Sequence, residues 1–160
     1  ALTSKGADLA VRIVRRHRLI ETFLHRILKV PLERVHADAE RIEHTISDDI
    51  ALRLSRFLGN PSADPHGHPI PSPAAKPAAR STTCLADARA GDTLVVTTLD
   101  DRDVAAVKYL SERDILPGVR ATIERNTRGV VRVRVGRASL NITKQAAQRV
   151  WCTPARGVSR

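Results

Sequence analysis

Six side chains in the first third of the chain could do chemistry together. The stretch VHADAERIEHTISDD, residues 35–49, carries His36, Glu40, Glu43 and His44, while His17 and Glu21 stand four positions apart upstream. On a helix advancing about 100° per residue, the four downstream groups share an arc of roughly 100°. Val35, Ala39, Ile42 and Ile46 fill the neighbouring arc, and Asp38, Arg41, Thr45 and Asp49 take the opposite side, so the His and Glu stripe is not simply the solvated face. His17 and Glu21 fall in the middle of a broad apolar arc made by Ile13, Val14, Ile20, Leu24 and Leu28. An ionised carboxylate there is costly unless it is paired, hydrogen-bonded or bound to a metal. A His–Glu pair at i, i+4 can be a local hydrogen bond alone. Two such helices face to face, however, would gather all six groups. Mixed imidazole and carboxylate donors suit a divalent first-row metal, and the lack of Cys in the set favours manganese or ferrous iron over a structural zinc. His66 and His68, in HGH, lie in a Pro-rich loop and read as loop residues, and His25 reads as solvated.

The elements that must position these groups follow from periodicity. Up to about Asn60, apolar residues recur every three or four positions, which predicts helices. One runs from about Ala7 to Leu28 with Thr3 or Ser4 as its cap, a second starts near Pro31, and a third is capped by Ser47 and ends at Gly59–Pro61. From Leu85 the period changes to two: TLVVTTL, VRATIER, VVRVRVG and ASLNIT read as strands, DVAAVKYLSE as a short helix, and a last strand lies near RVWC. Five short strands make a small barrel the economical arrangement. The Pro- and Ala-rich stretch between the halves is a linker.

Composition excludes several classes. With 160 residues and 42% apolar content the chain can build one domain or two small ones. No apolar run approaches the roughly 20 residues of a membrane span, and the N-terminus lacks a secretion signal pattern. Cys84 and Cys152 fit no metal motif and read as free thiols in a reducing cytoplasm. The net charge of +10 favours a polyanionic partner, but along the sequence the excess is spread without a dense run, and 2% aromatic residues offer no stacking platform for single strands.

The segments LTSKGADLAVRIVRRHRLIETFLHRIL and VPLERVHADAERIEHTISDDIALRLSRFLGNPSADPHGHPIP resemble the dimerisation and metal-binding domain of the diphtheria-toxin-repressor and manganese-transport-regulator family of metal-dependent transcription regulators. LADARAGD and YLSERDILPGVRATI resemble the SH3-like domain, related to the ferrous-transport A protein, that ends longer members. The fold implied is α+β: an all-helical domain over 1–72, a linker over 73–84, a small SH3-like β-barrel over 85–152 and a tail over 153–160. The resemblance assigns Glu40, Glu43 and His44 to a primary metal site. It assigns His17, Glu21 and His36 to a second site, completed by Asp103 from the SH3-like domain, while Ala106 stands where a ligating amide is expected. Glu40, at a position where iron-responsive members have Cys, implies manganese as the metal, with ferrous iron as the alternative. The family also implies a homodimer, expected to use Leu19, Phe23, Ile27, Leu54 and Phe57, and operator DNA read by an N-terminal winged helix-turn-helix domain that this chain is expected to lack. The function implied is a metal-dependent regulator, a repressor of metal-uptake genes, and not an enzyme. Two other readings stay open. Glu33-x-x-His36 matches one half of a di-metal oxidase or ferroxidase motif, and the barrel could dock the chain's own PIPSPAAKP through Tyr109 and Trp151.

Overall fold

The computed structural model describes residues 4–71 and 81–155, and the chain divides into two compact units, Ala1–Ala78 and Ala79–Arg160. Residues 72–80, which hold most of the linker expected over 73–84, the cap candidate Thr3, and residues 156–160 of the tail expected over 153–160 lie outside the described residues, while Thr83–Cys84 and Thr153–Pro154 belong to strands.

The first unit is helical. Helix α1 (Ser4–Arg26) stops where Lys29 takes a left-handed φ of 59°, and Val30 N–H donates back to Leu24 O at 3.0 Å. Pro31 then caps α2 (Leu32–Ile42) with an extended backbone, one position before the helix proper. Residues 43–46 form a turn rather than continuing the helix. Thr45 closes it through its N–H and its hydroxyl, both donated to Ile42 O, and Ser47 opens α3 (Asp48–Phe57) by accepting from Ile50 N–H. A short side-chain oxygen satisfies one of the amide donors that every helix start leaves open, and Asp48 and Asp49 complement the positive end of the helix dipole.

Leu19, Ala51 and Ile70 form a buried cluster, with Ile46, Leu54 and Leu58 packed against it. Ile70 belongs to the loop over 61–71, which is pinned to α1: Arg15 donates to Pro71 O at 2.6 Å, and Arg18 donates to Pro69 O. The loop is closed on itself by a bridge between Ala63 and Pro69.

The second unit is one six-stranded antiparallel sheet in the order β1-β6-β2-β3-β4-β5. Its strands are β1 (Thr83–Cys84), β2 (Thr93–Leu99), β3 (Arg120–Asn126), β4 (Val130–Val135), β5 (Ala138–Thr143) and β6 (Val150–Pro154), with short helices α4 (Val104–Ser111) and α5 (Lys144–Ala147). The two-residue β1 makes six strands where periodicity predicts five, because two residues are too few to show alternation. Register shifts between Val96 and Thr98 and between Ile123 and Arg125 bend the sheet. Thr97 uses the first shift to donate its hydroxyl to Trp151 O at 2.9 Å. Leu94, Val96, Leu99, Ile123, Val131, Val133 and Ile142 face the core. Cys84 and Cys152 are free: the β1–β6 register pairs Cys152 with Thr83, not with Cys84, and burial, then the neighbouring Cys84, pushes the Cys152 thiol up to about 12. Among the described residues, no helix is long and apolar enough to cross a membrane.

Candidate metal centre

Helices α1 and α2 bring His17, Glu21 and His36 together. His17 Nε2 lies 3.1 Å from Glu21 Oε1 and 3.0 Å from His36 Nδ1, and His36 Nδ1 lies 3.1 Å from the same Glu21 oxygen. Three donor atoms thus form a nearly equilateral triangle. Bonds of about 2.1 Å from nitrogen and oxygen to a first-row dication place neighbouring ligands about 3 Å apart, so the triangle matches one face of a coordination shell. Glu21 is fully buried, and its Oε2 has no hydrogen-bond partner among the described residues. A buried carboxylate with spare acceptor capacity, facing two imidazole nitrogens, fits a divalent cation.

The protonation of the metal-free cluster follows from its charges. Burial opposes a charge on His17, but the hydrogen bond and charge of Glu21, then those of Glu43, raise its pKa to about 9. Burial also pushes Glu21 towards neutrality, yet the hydrogen bond from His17 and the neighbouring His66 outweigh it and hold the carboxyl well below its usual range. A proton therefore stands in for a cation in the metal-free cluster.

Glu43 orients the site. Its Oε2 lies 2.7 Å from His17 Nδ1, so Nδ1–H donates to the carboxylate, and Nε2 is the nitrogen whose lone pair faces the triangle once its proton is lost. The other oxygen, Oε1, lies 3.2 Å from His44 Nε2. The remaining member of the expected primary set sits apart: Glu40 is 63% exposed, with Oε1 3.9 Å from His36 Nε2, and His44 is 71% exposed. The turn after Ile42 accounts for this arrangement, since Glu43 caps α2 and His44 lies beyond its last turn. Of the six groups, four are drawn directly together, and Glu43 links them to His44.

The sequence reads His66 as a loop residue, and the structure places it beside Glu21. It is almost fully buried; its Nε2 donates to Leu32 O at 3.1 Å, and its Nδ1 lies 3.7 Å from Glu21 Oε1. The compact loop carries it there: Asp64 accepts from the His68 N–H at 3.0 Å, and Gly67 adopts a φ of 92° that favours glycine. A histidine between Pro65 and Gly67, inside the P-x-G-x-P-I-P segment that carries part of the resemblance, was the available signal. His25 is half-buried rather than solvated, with Nδ1 3.1 Å from Val30 O.

Asp103 has work inside the second unit. One oxygen caps α4 by accepting from Ala106 N–H at 3.0 Å, and the other accepts from Arg149 Nε at 3.1 Å. In the dimerisation set, Leu19 is wholly buried within its own unit and offers nothing to a partner, and Leu54 packs on the same cluster. Phe23 is half-buried, while Ile27 is exposed and Phe57 is 67% exposed.

Comparison with known proteins identifies the two units. Residues 3–72 match the model of the iron-dependent repressor metal-binding and dimerisation domain, and residues 83–154 match the FeoA domain. The iron-dependent repressor IdeR of Mycobacterium leprae is 32% identical over 162 residues, covering 93% of this chain and 70% of the relative. The diphtheria toxin repressor of Corynebacterium diphtheriae is 40% identical over 70 residues, 44% of this chain and 31% of that protein. A solved manganese-dependent transcriptional repressor in complex with manganese superposes with a TM-score of 0.87 at 32% identity, over 97% of this chain and 75% of the other. A metal-binding and dimerisation domain is followed in sequence by a FeoA domain, with relatives matching over nearly the whole chain, and the chain belongs to the iron-dependent repressor family of metal-dependent transcriptional regulators, which are not enzymes.

Proposed function

We propose that this chain is the sensing and dimerising portion of a repressor that responds to manganese, with ferrous iron as the second candidate signal. The observation that carries the reading is the triangle of His17 Nε2, Glu21 Oε1 and His36 Nδ1, closed by a fully buried carboxylate. Cys is absent from the cluster, and hard oxygen and imidazole donors favour manganese or ferrous iron over softer competitors. The relatives point both ways, since their names include iron-dependent and manganese-dependent repressors.

In this reading His17, Glu21 and His36 hold one cation, and Glu43 and His44, joined by Glu40 after a rotamer change, hold the other. A bound cation supplies positive charge that replaces the His17 proton and ties α1 to α2. Glu43 keeps the His17 ring in the required tautomer, so it serves both groups. The carboxylate role that the resemblance gives Asp103 competes with its cap on α4, and the proposal rests on first-unit residues. The relatives' names support operator DNA as the final target, reached through a homodimer, with the DNA-binding domain implied by the family reading the sequence. Cation binding regulates only if it favours one dimer geometry over another.

Anaerobic titration calorimetry of the chain with manganese and with ferrous iron tests this. Two binding events are expected, of which His36→Ala removes one and leaves the other. An unchanged isotherm in His36→Ala would remove the triangle from the sensor.

A further inference from the structure

We infer that the solvent face of strands β3–β5 is a binding surface for the phosphate backbone of double-stranded DNA, separate from operator reading by any other domain. Residues 120–143 contain six arginines, Arg120, Arg125, Arg128, Arg132, Arg134 and Arg137, no lysine, and Glu124 as the sole acidic residue. In the sequence they are scattered among valines. The sheet sorts them: Ala121, Ile123, Val131, Val133 and Ile142 are buried, whereas all six arginines are exposed. Strand alternation puts Arg120, Arg125, Arg132 and Arg134 on the outer face, and Arg128 and Arg137 occupy the turns at its two ends.

The register adds an independent observation. Arg125 and Arg132 are direct cross-strand partners, and like charges directly opposite one another destabilise a sheet. Glu124 relieves part of this repulsion, with Oε2 3.0 Å from Arg132 Nε and Oε1 3.7 Å from Arg134 Nε. One carboxylate cannot neutralise six guanidinium groups, so the surface is built at a local cost that an external polyanion repays. Thr122, Ser139, Asn141 and Thr143 share the outer side and supply neutral hydrogen-bonding groups, with Ser139 Oγ donating to Glu124 at 3.0 Å. Arginine-rich, polar and without a wedge, this face suits backbone phosphates. Residues 120–143 include no aromatic side chain on which single-stranded bases could stack, and Val130, opposite Thr143, is a single half-buried apolar side chain on this face, too little to enter a lipid surface.

The test is fluorescence anisotropy of the whole chain with a labelled 25-base-pair duplex of arbitrary sequence, across a salt series, with and without manganese. The variant Arg125→Thr/Arg132→Thr/Arg134→Thr keeps strand-compatible residues, and Arg34→Ser/Arg41→Ser/Arg53→Ser removes the same charge from the first unit. We expect the sheet-face variant to bind at least tenfold more weakly at 50 mM salt, with its slope of log affinity against log salt shallower by about two to three. The control should lose less than threefold, and the metal should not change the ranking. The melting temperature of the sheet-face variant should equal or exceed that of the parent, because a like-charge pair is gone. Should that variant misfold, Arg128→Ser/Arg137→Ser in the turns gives the same comparison. Equal losses in both variants would reduce the effect to net charge and overturn the proposal. So would absence of duplex binding, or tighter binding to phosphatidylserine vesicles or to duplex RNA than to duplex DNA.

Discussion

His17 is the residue at which protons and metal compete. Its imidazole keeps a proton up to about pH 9 in the metal-free chain, whereas its Nε2 must be bare to bind a cation. Apparent manganese affinity should therefore rise about tenfold between pH 7 and pH 8, read by calorimetry in two buffers of different ionisation enthalpy, and proton release should accompany binding. A flat profile would mean that His17 is not a ligand. The same charges shape the stability of the metal-free protein. A raised His17 pKa contributes stability that is complete below its ordinary value of 6.5 and is lost as pH climbs through about 9. The depressed Glu21 pKa contributes above its ordinary 4.5 and is lost as pH falls towards its lower folded value. Denaturation midpoints in chelator should be highest between about pH 5 and 6.5. In Glu21→Gln, the His17 pKa should move back towards 6.5 in a chemical-shift titration.

At the scale of elements, two caps make separable predictions. Ser47 accepts from Ile50 N–H at the start of α3, and Ser47→Ala should cost the first unit about 1 kcal/mol in urea denaturation. Asp103 both caps α4 and pairs with the half-exposed Arg149, so Asp103→Ala should destabilise the second unit by about 1–2 kcal/mol. If Asp103 is a cap alone, metal stoichiometry stays unchanged in that variant, and loss of a binding event would instead restore it to the ligand set. The α2–α3 turn explains why Glu43 and His44 diverge from Glu40. A helix continued through Thr45 and Ile46 would have kept the stripe straight, but β-branched residues and a good cap at Ser47 favour a break there.

For the whole molecule, the exposed apolar side chains of the first unit bear on assembly. Phe57 at 67% exposure, the exposed Ile27 and the half-buried Phe23 are what remain of the predicted dimer face, since Leu19 is wholly buried and Leu54 packs against the same cluster. Phe57→Asp should shift the chain towards monomer, raising the dimer dissociation constant at least tenfold in sedimentation equilibrium, because large aromatic side chains dominate interface energetics. Leu19→Ala should act differently, costing about 2–5 kcal/mol of folding stability through the cavity it leaves. A parent chain that stays monomeric at high concentration would remove Phe57 from the interface.

Much was legible in the sequence because it follows from local rules. Period-3.6 and period-2 patterning announced three helices followed by strands, Ser47 announced a cap, and the spacings of His17, Glu21 and His36 announced facing donors. Each of these depends on neighbours within a turn or two of backbone. Tertiary structure decided the rest. Whether Leu19 faces a partner or its own core depends on where the 61–71 loop brings Ile70, and that loop also carries His66 to Glu21 from 45 positions away. Glu43 reaches His17 only because two helices pack side by side. The arginines of β3–β5 looked dispersed along the chain, since a strand pattern separates them by valines. Folding buries Val131 and Val133 on one side and leaves the arginines exposed on the other, so only the sheet register shows Arg125 opposite Arg132.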